Sequence, residues 1–302
     1  MEEFKNLQNQ CLTMLQSHES CGQSCHNDFF CKKNGCEECD CSRCLNQIQW
    51  GNPPKFTYSC ERITYQYALR FFNRFASEIC HAFYRFSYNN VSDINVLSLG
   101  CGPGSEIYGI LRALQIKKSN AVLHYKGYDL SSIWEKFQQI SKECLVDKKH
   151  EINFYTADLF NDYYGFENDR NVLLLLNYLL SHCSKFLKTA QEKEEFIDKL
   201  MDFVLQNRIR YILFNDNCYY GVFHKLDSGY QLLNLLIQKL RAKGCVLEAH
   251  YRLFANDSYY GLEGWKCHAS NELLFQDIDA NSYTLNIDYC KSKQVLIHLN
   301  AS

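Results

Sequence analysis

The residues best placed to do chemistry lie in one stretch, where the apolar run Val96-Leu97-Ser98-Leu99 enters Gly100-Cys101-Gly102-Pro103-Gly104 and leaves through Ser105. Glycine at every second position lets the backbone turn sharply and approach a ligand more closely than any side chain would permit. The free N–H groups that open a following helix would face the same ligand. The stretch therefore reads as a strand, a nucleotide-binding loop and a helix, with the ligand at the carboxyl edge of a parallel sheet. Glycine turns of this kind also occur without a ligand, so the loop alone decides little. A dinucleotide fingerprint wants its third glycine one position further on, where Ser105 stands, which makes NAD the weaker fit.

Polar residues at the ends of the following strands strengthen the reading. Residues 121–128 alternate as a second strand that ends in Asp129, where a nucleotide-binding fold places a carboxylate on ribose hydroxyls. A third strand over 152–157 ends in Asp158, a fourth over 172–176 ends at Asn177, and a fifth over 211–214 ends at Asn215 and Asp216. Residues 246–254 and 294–299 read as the last two strands. Helical periodicity at 105–116, 131–145, 192–206 and 226–243 supplies the crossovers of a mostly parallel α/β sheet.

With LSLGCGPGSE as a first motif, GYDLS as a second and TADLF as a third, the chain resembles the class I S-adenosylmethionine-dependent methyltransferases over residues 92–300. The resemblance implies a Rossmann-like, seven-stranded, mostly parallel sheet with helices on both faces and an antiparallel final strand at its edge. It implies that Gly100, Gly102 and Gly104 cradle the methionine end of the cofactor, that Asp129 binds the ribose, and that Asp158 accepts from the adenine amine. Asn177 falls where the family lines the transfer site and is the candidate catalytic residue. Ser98 stands where the family usually carries an acid; its hydroxyl accepts a hydrogen bond but brings no negative charge for the cofactor's ammonium.

The 302 residues suit one large α/β domain with a small appendage. The expected units are an N-terminal helix and cysteine-rich module over 1–50, a linker and aromatic-rich helix over 51–91, and the cofactor-binding domain over 92–302. A net charge of −2 gives no global basic bias toward nucleic acid, although aromatic stacking on single-stranded bases needs none. The apolar runs are strand-length, far short of the about 20 residues of a spanning helix, and the start lacks a signal peptide's apolar stretch. An intracellular setting, cytoplasmic or nuclear, is expected, in which the 17 cysteines form no disulfide framework.

Seven of those cysteines, Cys21, Cys25, Cys31, Cys36, Cys39, Cys41 and Cys44, crowd one polar, loop-like segment. Thiolates two to five residues apart on turns converge on zinc, which takes four ligands in a tetrahedron at about 2.3 Å. Seven exceed one site, so His18, His26 or Cys60 would complete a second; unpaired structural cysteines are the plainer alternative. With every position filled by protein the metal is structural, supplying folding energy that so small a knot lacks.

The acceptor side is less legible. Residues 61–86 form a helical pattern dense in aromatics, in which Tyr65 or Tyr67 could line an acceptor pocket. Asn52-Pro53-Pro54 precedes Lys55 rather than an aromatic and reads as a rigid linker. Asp216, His182 and His224 are weak candidates for a base, and Trp134 could stack beside adenine. RNA, protein and small molecules all remain open as acceptors, the first two preferred. The competing functions are a zinc-stabilised binding protein that kept the fold without transfer, and an NAD-dependent oxidoreductase. Elemental analysis of the purified chain is expected to find about two zinc ions; a folded, metal-free protein would contradict the metal reading.

Overall fold

The computed structural model describes residues 2–16, 41, 45, 58, 60–85, 92–145, 149–158, 160–162, 166, 171–217, 228–254, 265–268, 270–275 and 289–300. The chain opens with α1 (Glu2–Gln16), whose Phe4, Leu7, Cys11 and Leu15 are buried at helical spacing. The aromatic-rich pattern is a helical run in three parts: α2 (Glu61–Tyr67), a π-helical turn (Ala68–Phe72) and α3 (Asn73–Arg85). The sheet then builds from β1 (Asp93–Leu99), α4 (Ser105–Ile116), β2 (Val122–Asp129), a 3-10 turn (Ser132–Trp134), α5 (Glu135–Cys144) and β3 (Glu151–Thr156). It continues through β4 (Val172–Asn177), α6 (Leu179–Phe186), α7 (Ala190–Gln206), β5 (Tyr211–Asn217), α8 (Ser228–Ala242), β6 (Val246–Leu253), β7 (Trp265–Cys267) and β8 (Ser292–Asn300).

The strand order is β3-β2-β1-β4-β5-β8-β6-β7, with β8 antiparallel to both of its neighbours and the other pairings parallel. Order reverses at β1, whose neighbours are β2 and β4, so the crevice at its carboxyl end is the topological switch point where ligands of such sheets bind. Two expectations need correcting. The sheet has eight strands rather than seven, because the short β7 pairs in parallel with Tyr251 to Leu253 at the end of β6. The final strand is antiparallel, but it lies between β5 and β6 instead of at the edge. Its composition explains the position: Leu296 faces one layer and Val295, Ile297 and Leu299 the other, all buried, which is an interior strand's pattern.

The same two-sided burial runs through the sheet. In β4, Leu173 and Leu175 join the core under α1, α3 and α4, while Val172, Leu174 and Leu176 join the core under α7 and α8. Side chains alternate between faces along a strand, so an unbroken apolar run must be covered on both sides. Among the described residues, no helix is long and apolar enough to cross a membrane. On the second face, α7 begins with a capping box in which Thr189 accepts from the Glu192 backbone and the Glu192 side chain accepts from the Thr189 backbone.

One contact sets where α3 lies. A Cβ at Gly109 in α4 would stand 2.4 Å from the Ala76 carbonyl oxygen of α3, so the two helices meet backbone to backbone. Gly109→Ala adds about 1 kcal/mol of helix propensity but forces the helices apart, a typical overpacking loss of about 1–3 kcal/mol. Urea denaturation is expected to show net destabilisation; an unchanged or raised stability would contradict the close docking.

Candidate functional site

The loop after β1 is held in a conformation that its sequence makes cheap. Gly100, Gly102 and Gly104 have φ of +63°, +49° and +74°, the left-handed region that residues with a Cβ seldom adopt. Space is short as well, since a Cβ would lie 2.5 Å from Leu179 at Gly100 and 2.9 Å from Phe154 at Gly104. Cys101 N–H donates to the Tyr128 carbonyl at 3.0 Å and Gln138 Nε2 donates to the Gly102 carbonyl at 2.7 Å, tying the loop to β2 and α5.

Asp129, at the end of β2, is the loop's partner. Its Oδ2 accepts from Gly102 N–H and its Oδ1 from Ser131 N–H, each at 2.9 Å. Burial pushes the carboxyl above the usual range, and these two backbone donors pull it back. Leu130, next in sequence, is 78% exposed and presents an apolar side chain just past the end of β2. Asp158 reaches the same edge, because Ala157 N–H donates to the Asp129 carbonyl at 3.0 Å. The Asp158 carboxylate accepts from Phe160 N–H and Asn161 Nδ2, so it also shapes the turn after β3.

Beneath the loop sits a carboxylate that reading the sequence did not single out. Glu106, in the first turn of α4, is 1% exposed. Its Oε1 accepts from Ser98 Oγ at 2.5 Å and from the Tyr125 hydroxyl at 2.7 Å. Burial raises its pKa; the Ser98 and Tyr125 hydroxyls, its own backbone and the Asn177 amide pull the other way.

From Asn177 a buried polar chain crosses the carboxyl ends of β4 and β5. Asn215 Nδ2 donates to Asn177 Oδ1 at 2.8 Å and to Glu78 Oε2 at 3.1 Å. Asn215 Oδ1 accepts from Ser292 Oγ and Gln294 Nε2 of β8. Glu78, on α3, also accepts from Lys291 N–H and the Tyr178 hydroxyl and faces Arg74 Nε at 3.5 Å. Tyr178 follows Asn177 with φ +55°, a strained value for a residue with a large side chain, and its ring lies 4.1 Å from that of Phe75. Asn177 is therefore partly exposed at the strand end but held by the chain, so its carbonyl is not a free acceptor.

Aromatic rings close the site from above. Trp134 packs on Tyr58 and Tyr67 at 5.2 and 5.4 Å, and its ring lies 3.7 Å from where a Gly102 Cβ would be. Burial pushes the Tyr67 hydroxyl up, and the nearby Tyr58, Glu106 and Asp129 push it the same way, so Tyr67 stands within the fields of both acids. Tyr65, the other ring considered, is core: it is 1% exposed and donates to Glu61 at 2.6 Å. The π turn that follows shifts the helix register between Tyr67 and Phe72.

Other candidates fall away from this site. The Asp216 carboxylate accepts from Ser181 N–H at the start of α6 and from Asn217 N–H, a positioning role. His182 is exposed on α6, 5.0 Å from the Phe186 ring. His224 lies outside the described residues, as do the proposed metal ligands Cys21, Cys25, Cys31, Cys36, Cys39 and Cys44. Cys41 is buried in the apolar cluster with Phe4 and Leu15, and among the described residues no group of three or more His, Cys, Asp or Glu side chains is placed to hold a metal.

No protein-family model matches the chain, and no curated protein is significantly similar to it in sequence. Solved structures similar to it include a putative class I S-adenosylmethionine-dependent methyltransferase from Listeria monocytogenes, at 13% identity and a TM-score of 0.46 over 100% of this chain and 87% of that one. The plantazolicin methyltransferase BpumL in complex with SAH aligns at 15% identity and a TM-score of 0.42 over 86% and 95%. The magnesium protoporphyrin IX methyltransferase of Synechocystis PCC 6803 with bound SAM aligns at 12% identity and a TM-score of 0.37 over 80% and 81%. At scores of 0.46 or less, strand order and loop geometry carry the functional reading instead.

The polar chain itself is open to test. Glu78 is fully buried against an Arg74 side chain that is 15% exposed, and removing one partner of such a pair leaves an uncompensated charge. Glu78→Ala is expected to cost about 3–5 kcal/mol in urea unfolding; a loss as small as an exposed ion pair's, about 1 kcal/mol or less, would contradict the burial.

Proposed function

We propose that the chain is an S-adenosylmethionine-dependent methyltransferase. One observation carries the reading: the acid that ends β2, Asp129, is hydrogen-bonded to the central glycine of a three-glycine left-handed loop at the sheet's switch point. A cofactor with a ribose and a charged amino-acid tail fits those residues. Asp129 has an acceptor lone pair left on each oxygen for the ribose hydroxyls, and Leu130 offers apolar surface to a base. The glycines give the loop no side chains at three of its five positions, where the methionine end would lie, and Asp158 stands two residues past the end of β3, the strand beside Asp129, for the adenine amine. NAD asks for the third glycine at Ser105, whose side chain instead points to Glu106.

When bound, the cofactor supplies an electrophilic methyl group on a sulfonium. What this chain supplies is positioning, which accounts for much of the rate in such transfers. Asn177, fixed by Asn215, presents its amide at the end of β4, and Tyr178 and Phe75 wall the adjoining space. The strained Tyr178 backbone keeps that wall in place, an arrangement common where ligands are held. An RNA or protein acceptor is the working assignment.

Isothermal titration tests the reading. S-adenosylmethionine should bind and NAD should not, and Asp129→Ala should weaken the former by about tenfold or more, the loss of one or two charge-assisted hydrogen bonds. Binding should also weaken on acidification, because burial keeps Asp129 raised and its charge is lost above the free carboxyl value of about 3.9. An unchanged affinity in Asp129→Ala, or tighter binding of NAD, would overturn the assignment.

A further inference from the structure

Glu78 and Glu106 are both buried at the carboxyl edge of the sheet, and they are treated differently. Glu78 has a cation, with Arg74 at 3.5 Å. Glu106 has none: among the described residues its hydrogen-bond partners are the hydroxyls of Ser98, Tyr125 and, at 3.5 Å, Ser105. Neutral donors orient a buried carboxylate without balancing its charge, and an uncompensated buried charge costs stability. A fold that served only its own stability would place a neutral residue there.

The position of this charge is informative. Glu106 reaches back from α4 to Ser98, the residue that stands at the end of β1 where the resembled family usually carries an acid. The hydroxyl and the carboxylate together rebuild that acid, with its negative charge delivered from the helix instead of the strand. Ser98 is two residues before Gly100 and Glu106 two residues past Gly104, so their hydrogen bond closes the base of the loop that would cradle the methionine end.

We infer that Glu106 is the binding residue for the α-ammonium of the cofactor's amino-acid tail, held in place by Ser98 and Tyr125. This rests on the S-adenosylmethionine reading. The chemistry is that of an ammonium donating to an ionised carboxylate within a water-poor pocket, stronger than a bond to a neutral acceptor. Gln at 106 keeps the size and an acceptor oxygen for both hydroxyls while removing the charge, so its fold should be retained and its melting temperature should not fall.

The test is calorimetric binding of two ligands, S-adenosylhomocysteine, which carries the amino-acid tail, and 5′-methylthioadenosine, which lacks it. Wild type should bind both. Glu106→Gln should weaken S-adenosylhomocysteine by about tenfold and leave methylthioadenosine within about twofold. Adding Ser98→Asp to Glu106→Gln returns the charge to the strand and should recover most of the lost affinity. Equal binding of S-adenosylhomocysteine by wild type and Glu106→Gln, an equal loss of both ligands, or a Glu106→Gln chain that does not fold would each overturn the assignment. A wild-type chain that binds neither ligand would instead sink the cofactor reading on which it rests.

Discussion

The carboxyl edge of the sheet is organised by one set of polar contacts, in which Ser98 and Tyr125 hold Glu106 under the glycine loop and Asn215 joins Asn177 to Glu78 on α3. Every group in it would be costly to bury alone, so each is stable only while its neighbours stay in place. That mutual requirement joins elements far apart in sequence. It ties β1 through Ser98, β2 through Tyr125, β4 through Asn177, β5 through Asn215, and β8 through Ser292 and Gln294. The apolar core under both faces supplies most of the folding free energy, but it is non-directional. Hydrogen bonds with fixed partners are what set the strand ends in register with the loop.

The helical run from Glu61 to Arg85 completes the site. Gly109 admits α3 to backbone contact with α4, and this places Arg74 and Glu78 at the end of β5. The π turn then directs Tyr67 to the acids and Trp134 while Phe72 turns into the core against Phe4 and Tyr108. Tyr178, which has a positive φ at the end of β4, is over-determined by Arg74, Glu78 and Phe75. A loop with glycine at every second position, an acid fixed at its rim and a rigid aromatic roof are the parts that a positioning catalyst needs.

Much of this was legible in the chain. The glycines, Asp129 and the strand ends at Asp158, Asn177 and Asn215 are local signals, since loop chemistry and two-residue periodicity are written within a few positions of each other. What was not legible depends on distant partners. The three residues of β7 are too few to show a period and exist through pairing with β6. The interior place of β8 is decided by β5 and β6 on either side, not by its own residues alone. Ser98 looked like a lost charge because the compensating Glu106 lies eight residues away on another element, where a helix-start glutamate is ordinary. Glu78 and Arg74 carry no signal in the sequence, because only the docking of α3 makes this i,i+4 pair internal.

A crystal structure of the chain with S-adenosylhomocysteine tests the central claim most directly. The account predicts the ribose hydroxyls on the Asp129 carboxylate, the amino-acid tail beneath the glycine loop, and its ammonium on Glu106. Ligand density away from the end of β1, or an Asp129 carboxylate turned from the sugar, would contradict it.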